Sequence, residues 1–117
     1  MNKILCVLIL FSTTAIAQRW SYPNPSPHTK LVKQVGNVTI EINYDRPATR
    51  ERKIFGELVP YGNIWRTGAA EATTIAFDND VKIEGVPVKA GKYTLFTVPN
   101  KTEWELILNA VPNQYGA

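Results

Sequence analysis

The sequence predicts an all-β fold, an antiparallel β-sandwich of the jelly-roll or immunoglobulin-like kind in a single domain. Short segments that alternate apolar and polar residues recur along the chain, and turn-forming residues separate them. After the N-terminal segment, no ten-residue window shows the i, i+3, i+4, i+7 apolar pattern of an amphipathic helix. A chain of 117 residues is long enough for only one such domain.

The first 17 residues have the organisation of a secretory signal peptide. Lys3 precedes an apolar run over residues 4–11, and Ala15 and Ala17 form a small-residue cleavage site. The run is much shorter than the roughly 20 residues that span a bilayer, so a membrane anchor is the weaker interpretation. We expect cleavage after Ala17 and an exported mature chain, periplasmic or extracellular, without a transmembrane segment. Cys6 is the only cysteine, so the mature chain would have no disulfide.

Residues 18–29 form a proline-rich lead-in to the domain. Pro23, Pro25 and Pro27 fix φ and remove backbone donors, which disfavours both helix and sheet. We interpret this stretch as an extended surface linker, with a polyproline ligand for a groove on another protein as the alternative. The β-sandwich domain is then predicted over residues 30–117.

A hairpin is predicted at the start of this domain. Residues 38–44 alternate apolar and polar side chains, which predicts a half-buried strand. Residues 31–35 precede it across Gly36-Asn37, a pair suited to a two-residue hairpin turn. The same pattern, with turn residues between segments, predicts five further strands. They are residues 73–77, 81–83, 86–88, 92–98 and 104–109.

The chain between the second and third predicted strands lacks the alternating pattern of the strands. Residues 45–70 show no periodicity and are rich in arginine, glycine and aromatic residues. The segment is longer than most connections within a compact domain, which indicates a functional or specially packed loop. At the other end of the chain, no partner strand follows residues 104–109, so we expect the domain to lack one or more C-terminal strands.

Several strings in the chain resemble the domain of unknown function 2911 family, exported proteins common in Bacteroidetes. They are YDRP at 44–47, RKIFG at 52–56, LVPYG at 58–62, WRTGA-x-EATT at 65–74 and AGKYTLFTVP at 90–99. The resemblance covers roughly residues 26–117 and implies an exported β-rich domain without an established activity. Members of that family often have Asn where this chain has Ala70, and they generally continue past its final Gly-Ala, which implies an incomplete domain.

The charged and aromatic residues of the aperiodic segment are the best candidate site. Guanidinium groups bind carboxylate or phosphate in a bidentate manner and stack on aromatic rings, which predicts a site for an anionic small molecule or a glycan. Arg50 belongs to this cluster, and the alternative is a structural network in which acidic residues pair with arginines to fix the loop. The predicted ligand-binding residues are Tyr44, Asp45, Arg46, Arg52, Trp65, Arg66, Thr67 and Glu71.

Enzymatic activity has little support in the sequence. His28 is the only histidine, and Ser21 and Ser26 are the only serines after residue 17, so a Ser-His-Asp or Cys-His arrangement is close to excluded. Asp45 and Glu71 are weak candidates for a catalytic carboxylate pair. The leading prediction is therefore a binding or interaction module without catalytic activity. A carboxylate-dependent hydrolase and a purely structural envelope protein are the alternatives.

No cofactor, metal site or nucleic-acid partner is predicted. Zinc and other transition metals would lack ligands in a mature chain with one histidine and no cysteine. The sequence has no glycine-rich phosphate loop between a strand and a helix, which disfavours nucleotide cofactors. It also has no stripe of Lys and Arg interleaved with aromatic residues along a strand, which argues against nucleic acid.

Overall fold

The computed structural model describes residue 23 and residues 25–110. The predicted signal peptide, most of the lead-in and residues 111–117 lie outside the described residues. Within the described range there are seven strands and no helix, and hence no helix that could cross a bilayer. The strands are β1 His28–Val35, β2 Val38–Asp45, β3 Ala69–Phe77, β4 Val81–Ile83, β5 Val86–Val88, β6 Gly91–Val98 and β7 Glu105–Asn109.

The strands form two antiparallel sheets. Five of them make one sheet in the order β1-β2-β3-β6-β7, and β4 and β5 form a separate two-stranded hairpin between β3 and β6. The all-β, antiparallel prediction is confirmed, and the two sheets are consistent with a β-sandwich-like single domain. Each of the seven strands predicted from the sequence is present, although β1 and β3 begin several residues earlier than predicted.

The β1–β2 hairpin has the predicted two-residue turn. Gly36 has a φ of 59°, in the left-handed region where glycine has no steric penalty. Val35 pairs with Val38 across the turn, and the same register continues without interruption to His28 opposite Asp45. This register brings the two ends of the hairpin together beside the start of β3.

Strand β3 departs from regular pairing at its N-terminal end. Asn43 pairs with Thr74, but Asp45 pairs with Ala69, so β3 contains extra residues between these two pairs. Ala70, inside the irregularity, has a φ of 39°. The irregularity turns the beginning of β3 away from β6 and toward the end of β2.

The space that β3 leaves on β6 is occupied by the loop before it. Regular pairing between β3 and β6 stops at Thr74 and Thr94. Farther along β6, Thr97 forms an antiparallel bridge with Trp65 instead. The long connection between β2 and β3, residues 46–68, is thus attached to the sheet; it is called the β2–β3 loop below.

The core is small and rich in threonine. Its buried apolar side chains are Val59, Phe77, Phe96 and Val98, joined by Pro99. Its buried polar side chains are Thr73, Thr74, Thr94, Thr97 and Asp45. Every buried side-chain nitrogen or oxygen in the described residues has a hydrogen-bond partner, so the polar core carries no unpaired group.

Phe77, Phe96 and Trp104 fall on strands predicted from the sequence, which predicts that they belong to the core, and two of the three are buried. Phe77 and Phe96 are 5% and 4% exposed, but Trp104 is 47% exposed. The prediction for Trp104 was wrong: Trp104 lies just before β7, and Leu106, inside the strand on the same alternation, is 49% exposed as well, so this part of the chain is at the surface. Trp104 therefore packs against aromatic residues of the β2–β3 loop rather than in the core.

Candidate functional site

Asp45 joins three strand ends at the base of the β2–β3 loop. A hydrogen bond of 2.9 Å links its Oδ1 to Nδ1 of His28 at the start of β1, and its Oδ2 accepts the backbone N–H of Glu71 in β3 at 2.8 Å. Its side chain is only 3% exposed. The Glu71 N–H first, and then the His28 ring, hold the pKa of the Asp45 carboxyl below its usual range. Asp45 thus acts as an ionised clamp.

This structural role makes Asp45 a poor candidate for ligand binding or catalysis. Both oxygens are engaged and the carboxylate is buried, so it neither faces solvent nor pairs with an arginine. A general acid at neutral pH needs a raised pKa, and the pKa of this carboxyl is lowered. The local geometry is that of a structural support.

The C-terminal half of the β2–β3 loop is held on β6 by backbone hydrogen bonds. The Trp65 N–H donates to the Thr97 carbonyl at 2.7 Å, and the Thr97 N–H donates back to Trp65 at 3.0 Å. The Gly62 N–H donates to the Pro99 carbonyl at 2.9 Å. The hydroxyls of Thr67 and Thr97 are 2.9 Å apart and share a hydrogen bond. These contacts fix the position of Trp65 and of the residues on either side of it.

The central part of the loop folds back on itself. The Gly56 N–H donates to the Val59 carbonyl at 2.9 Å, and the Val59 N–H donates to the Ile54 carbonyl at 2.8 Å. Gly56 has a φ of 88°, and a Cβ there would lie 2.7 Å from the Tyr61 ring. Only glycine fits this turn without displacing the ring. Val59 is buried beneath the turn and holds it against the rest of the protein.

Three aromatic residues form a cluster beside this turn. The Phe55 ring centroid lies 5.9 Å from that of Trp65 and 4.9 Å from that of Trp104, and the two tryptophans are 6.4 Å apart. All three pairs are edge-to-face, the arrangement that the ring quadrupoles favour. The cluster connects the loop to the residue that precedes β7.

A cavity of about 810 Å³ opens between the loop and the residues that precede β1. We call it the loop cavity; its volume is within the range of small-molecule sites. Among the described residues, three arginines and no acidic residue line it. The lining residues are Pro25, Ser26, Pro47, Ala48, Thr49, Arg50, Arg52, Ile54, Phe55, Leu58, Val59, Pro60, Asn63, Ile64, Trp65, Arg66, Gly68 and Ala69.

The arginines of the loop form no ion pair with an acidic side chain of the described residues. In the described part of the chain, none of Arg46, Arg50, Arg52 and Arg66 has a carboxylate within ion-pair distance. Arg52 is instead oriented by the backbone, since its Nε and Nη2 each donate at 2.9 Å to the Thr49 and Ala48 carbonyls. Within the described residues, hydrogen bonds to the backbone and to threonine hydroxyls hold this loop, and the arginine–carboxylate network stays an alternative prediction.

The structure brings together part of the predicted set of site residues. Arg52, Trp65 and Arg66 line the loop cavity, together with Arg50. Asp45 and Thr67 lie outside the lining and form the supporting hydrogen bonds. Tyr44, Arg46 and Glu71 are also outside the lining.

Two kinds of residue at the site were not predicted from the sequence. The apolar wall of the cavity, with Phe55, Leu58 and Ile64, lies in the aperiodic segment, where no local pattern distinguishes lining from packing residues. His28 was assigned to the lead-in, yet it is the partner of Asp45. Extending the predicted Gly36-Asn37 hairpin outward in register would have placed these two residues opposite each other.

The described ranges, residue 23 and residues 25–110, contain no group of three or more His, Cys, Asp or Glu side chains that could hold a metal ion. Comparison with curated proteins and with solved structures finds no match to this chain. A family model does match: the one described as "Protein of unknown function (DUF2911)" aligns with residues 26–117. Because that alignment covers most of the chain, including the whole sheet, the loop and the cavity, the protein belongs to the DUF2911 family.

Proposed function

We propose that this protein is an exported binding module, without catalytic activity, that takes an anionic ligand into the loop cavity. The observation that carries the proposal is the charge of the cavity. Arg50, Arg52 and Arg66 line it, and no acidic residue of the described part of the chain does. Guanidinium groups without a carboxylate partner are suited to bind a carboxylate or a phosphate.

The orientation of Arg52 adds geometric support. Two of its five N–H groups are used by the Thr49 and Ala48 carbonyls, and these bonds fix the plane of the guanidinium. Three N–H groups are left to donate to a ligand. A guanidinium that is already oriented loses little side-chain entropy on binding, which favours affinity.

An anion fits the cavity better than a neutral glycan does. Sugar rings stack on a flat aromatic face, and Trp65, the only tryptophan among the described lining residues, is already in contact with two neighbouring rings. The uncharged polar side chains of the lining are only Ser26, Thr49 and Asn63. The hydrolase alternative is weaker still, because Asp45 is buried and fully hydrogen-bonded. Export is proposed from the signal-peptide pattern of residues 1–17.

A thermal-shift screen tests the proposal. Purified protein is heated with phosphate, sugar phosphates, small carboxylates and uncharged sugars. A ligand that binds only the folded state at a hundredfold excess over its Kd stabilises it by about 2.7 kcal/mol. In a domain of this size that raises the melting temperature by about 10 °C or more. We expect such shifts from a subset of the anions and none from the sugars.

Arg66→Gln is the most informative variant for this screen. Arg66 is exposed and has no hydrogen bond or ion pair in the described residues, so its removal leaves the fold intact. We expect a loss of affinity of about tenfold or more. Lys33→Gln, at an exposed position of β1 outside the lining, removes the same charge and serves as control. Equal anion binding in wild type, Arg66→Gln and Lys33→Gln would contradict the proposal, as would selective binding of sugars.

A further inference from the structure

Much of the wall of the loop cavity is apolar. The proposed function gives this apolar part no role. Leu58, Ile64 and Phe55 are 53%, 51% and 40% exposed, and all three line the cavity. Pro47, Pro60 and Ala48 extend the same wall. Single exposed apolar residues are common on protein surfaces, but several of them around one concavity mark a binding surface.

The apolar and cationic parts come from the same short stretch of chain. Arg50 and Arg52 immediately precede the turn that carries Phe55 and Leu58, while Arg66 follows Ile64. Arg50 and Glu51 both have positive φ, 49° and 59°, in the left-handed region. Two consecutive non-glycine residues in this region form a sharp bend in the backbone before the turn. The loop therefore presents guanidinium groups and apolar side chains to one open cavity.

We propose that the ligand is an amphiphilic organic anion, with a carboxylate or phosphate head and an apolar body. This inference rests on the proposed function. The head binds the guanidinium groups of Arg50, Arg52 and Arg66. The body lies against Phe55, Leu58 and Ile64 and removes their exposed surface from water. A small hydrophilic anion such as inorganic phosphate would satisfy only the first half of this site.

Isothermal titration calorimetry with a matched ligand series tests the proposal. The probes are butyrate, octanoate and the neutral octanamide, with inorganic phosphate and octyl phosphate as the tetrahedral pair. Each methylene group that is buried on binding raises the affinity about fourfold. With the chain lying against the apolar wall, we expect octanoate, which is four methylenes longer, to bind roughly a hundredfold tighter than butyrate. Octyl phosphate, which adds eight carbons to phosphate, should gain more than about a hundredfold over phosphate. Octanamide should bind at least about tenfold more weakly than octanoate.

Two leucine variants separate the apolar contribution from the charge. Leu58→Asn changes the cavity wall, and Leu106→Asn changes a leucine of similar exposure, 49%, in β7 outside the lining. We expect Leu58→Asn to reduce the octanoate-to-butyrate ratio by about tenfold and to leave butyrate affinity unchanged. Leu106→Asn should leave both affinities unchanged.

The outcomes distinguish this inference from the proposed function. If butyrate and octanoate bind equally and both need Arg66, the ligand class is wrong but anion binding stands. The class is also wrong if Leu58→Asn and Leu106→Asn have the same effect. If octanamide binds as tightly as octanoate, or if no probe binds, anion binding at the loop cavity is itself overturned.

Discussion

Replacing the Asp45 carboxylate by an amide tests the clamp at the base of the loop. In Asp45→Asn the side chain keeps its shape and one acceptor oxygen, but the amide nitrogen cannot accept from either His28 or the Glu71 N–H. The amide oxygen can still accept the Glu71 N–H, and the amide nitrogen can donate to His28 Nδ1 when the ring takes the other tautomer, so both hydrogen bonds lose their ionised acceptor. Hydrogen bonds to charged groups contribute about 1.5–3 kcal/mol each, so we expect a loss of about 2–4 kcal/mol. The total free energy of unfolding of a small domain is about 5–15 kcal/mol, so this loss would be easy to measure.

The dependence on pH provides a second, independent signature. The folded-state pKa of Asp45 is lowered, so its stabilising contribution is complete above the unfolded-state pKa of about 3.9. The contribution is lost as the pH falls through the folded-state value. The difference in stability between wild type and Asp45→Asn should therefore be present at about pH 5 and above and should shrink below about pH 4.

Urea unfolding followed by circular dichroism, repeated from pH 7 to pH 3, measures both quantities. Glu103→Gln is the control, because it makes the same chemical change at an exposed position without a hydrogen bond or ion pair in the described chain. The reasoning is refuted if Asp45→Asn unfolds within about 0.5 kcal/mol of wild type at pH 7. It is also refuted if the difference between the two proteins does not depend on pH.

Two further substitutions probe how the loop is held. Gly68→Ala would place a Cβ 2.7 Å from Thr73 Oγ1 and 3.4 Å from the Asp45 carbonyl, so we expect about 1–3 kcal/mol of destabilisation in urea unfolding. The cost should fall when Thr73 is also changed to Ala; an unchanged cost would exclude this contact as its cause. Trp104→Ala removes edge-to-face contacts with Phe55 and Trp65, and we expect a loss of about 1–3 kcal/mol and a weaker near-ultraviolet circular dichroism signal. An unchanged near-ultraviolet spectrum would show that the aromatic cluster is not ordered in solution.

The strands could be predicted because their signal is local. In β2 the apolar residues recur every second position, and the turn at Gly36-Asn37 sets the hairpin register from two adjacent residues. The error at Trp104 has the same origin. Alternation with Leu106 predicts a buried strand face, but Leu106 is itself 49% exposed, so this part of β7 lies at the surface.

The loop cavity could not be predicted to the same extent because its shape depends on distant residues. Trp65 is placed by Thr97, and Gly62 by Pro99, partners more than thirty positions away in the chain. Residue types in the β2–β3 loop indicated arginine-based chemistry, and three of the predicted residues do line the cavity. Composition alone did not separate them from Asp45, whose carboxylate is turned into the protein.

Because Trp65 is attached to Thr97, the binding site forms late in folding. The β1–β2 hairpin can form from neighbouring residues, but the bridge between Trp65 and Thr97 closes a long stretch of chain that includes β3, β4 and β5. Such distant contacts are slow to form. The cavity is therefore absent from a nascent chain until β6 has joined the sheet, and a ligand can meet its site only on a protein whose main sheet is already assembled.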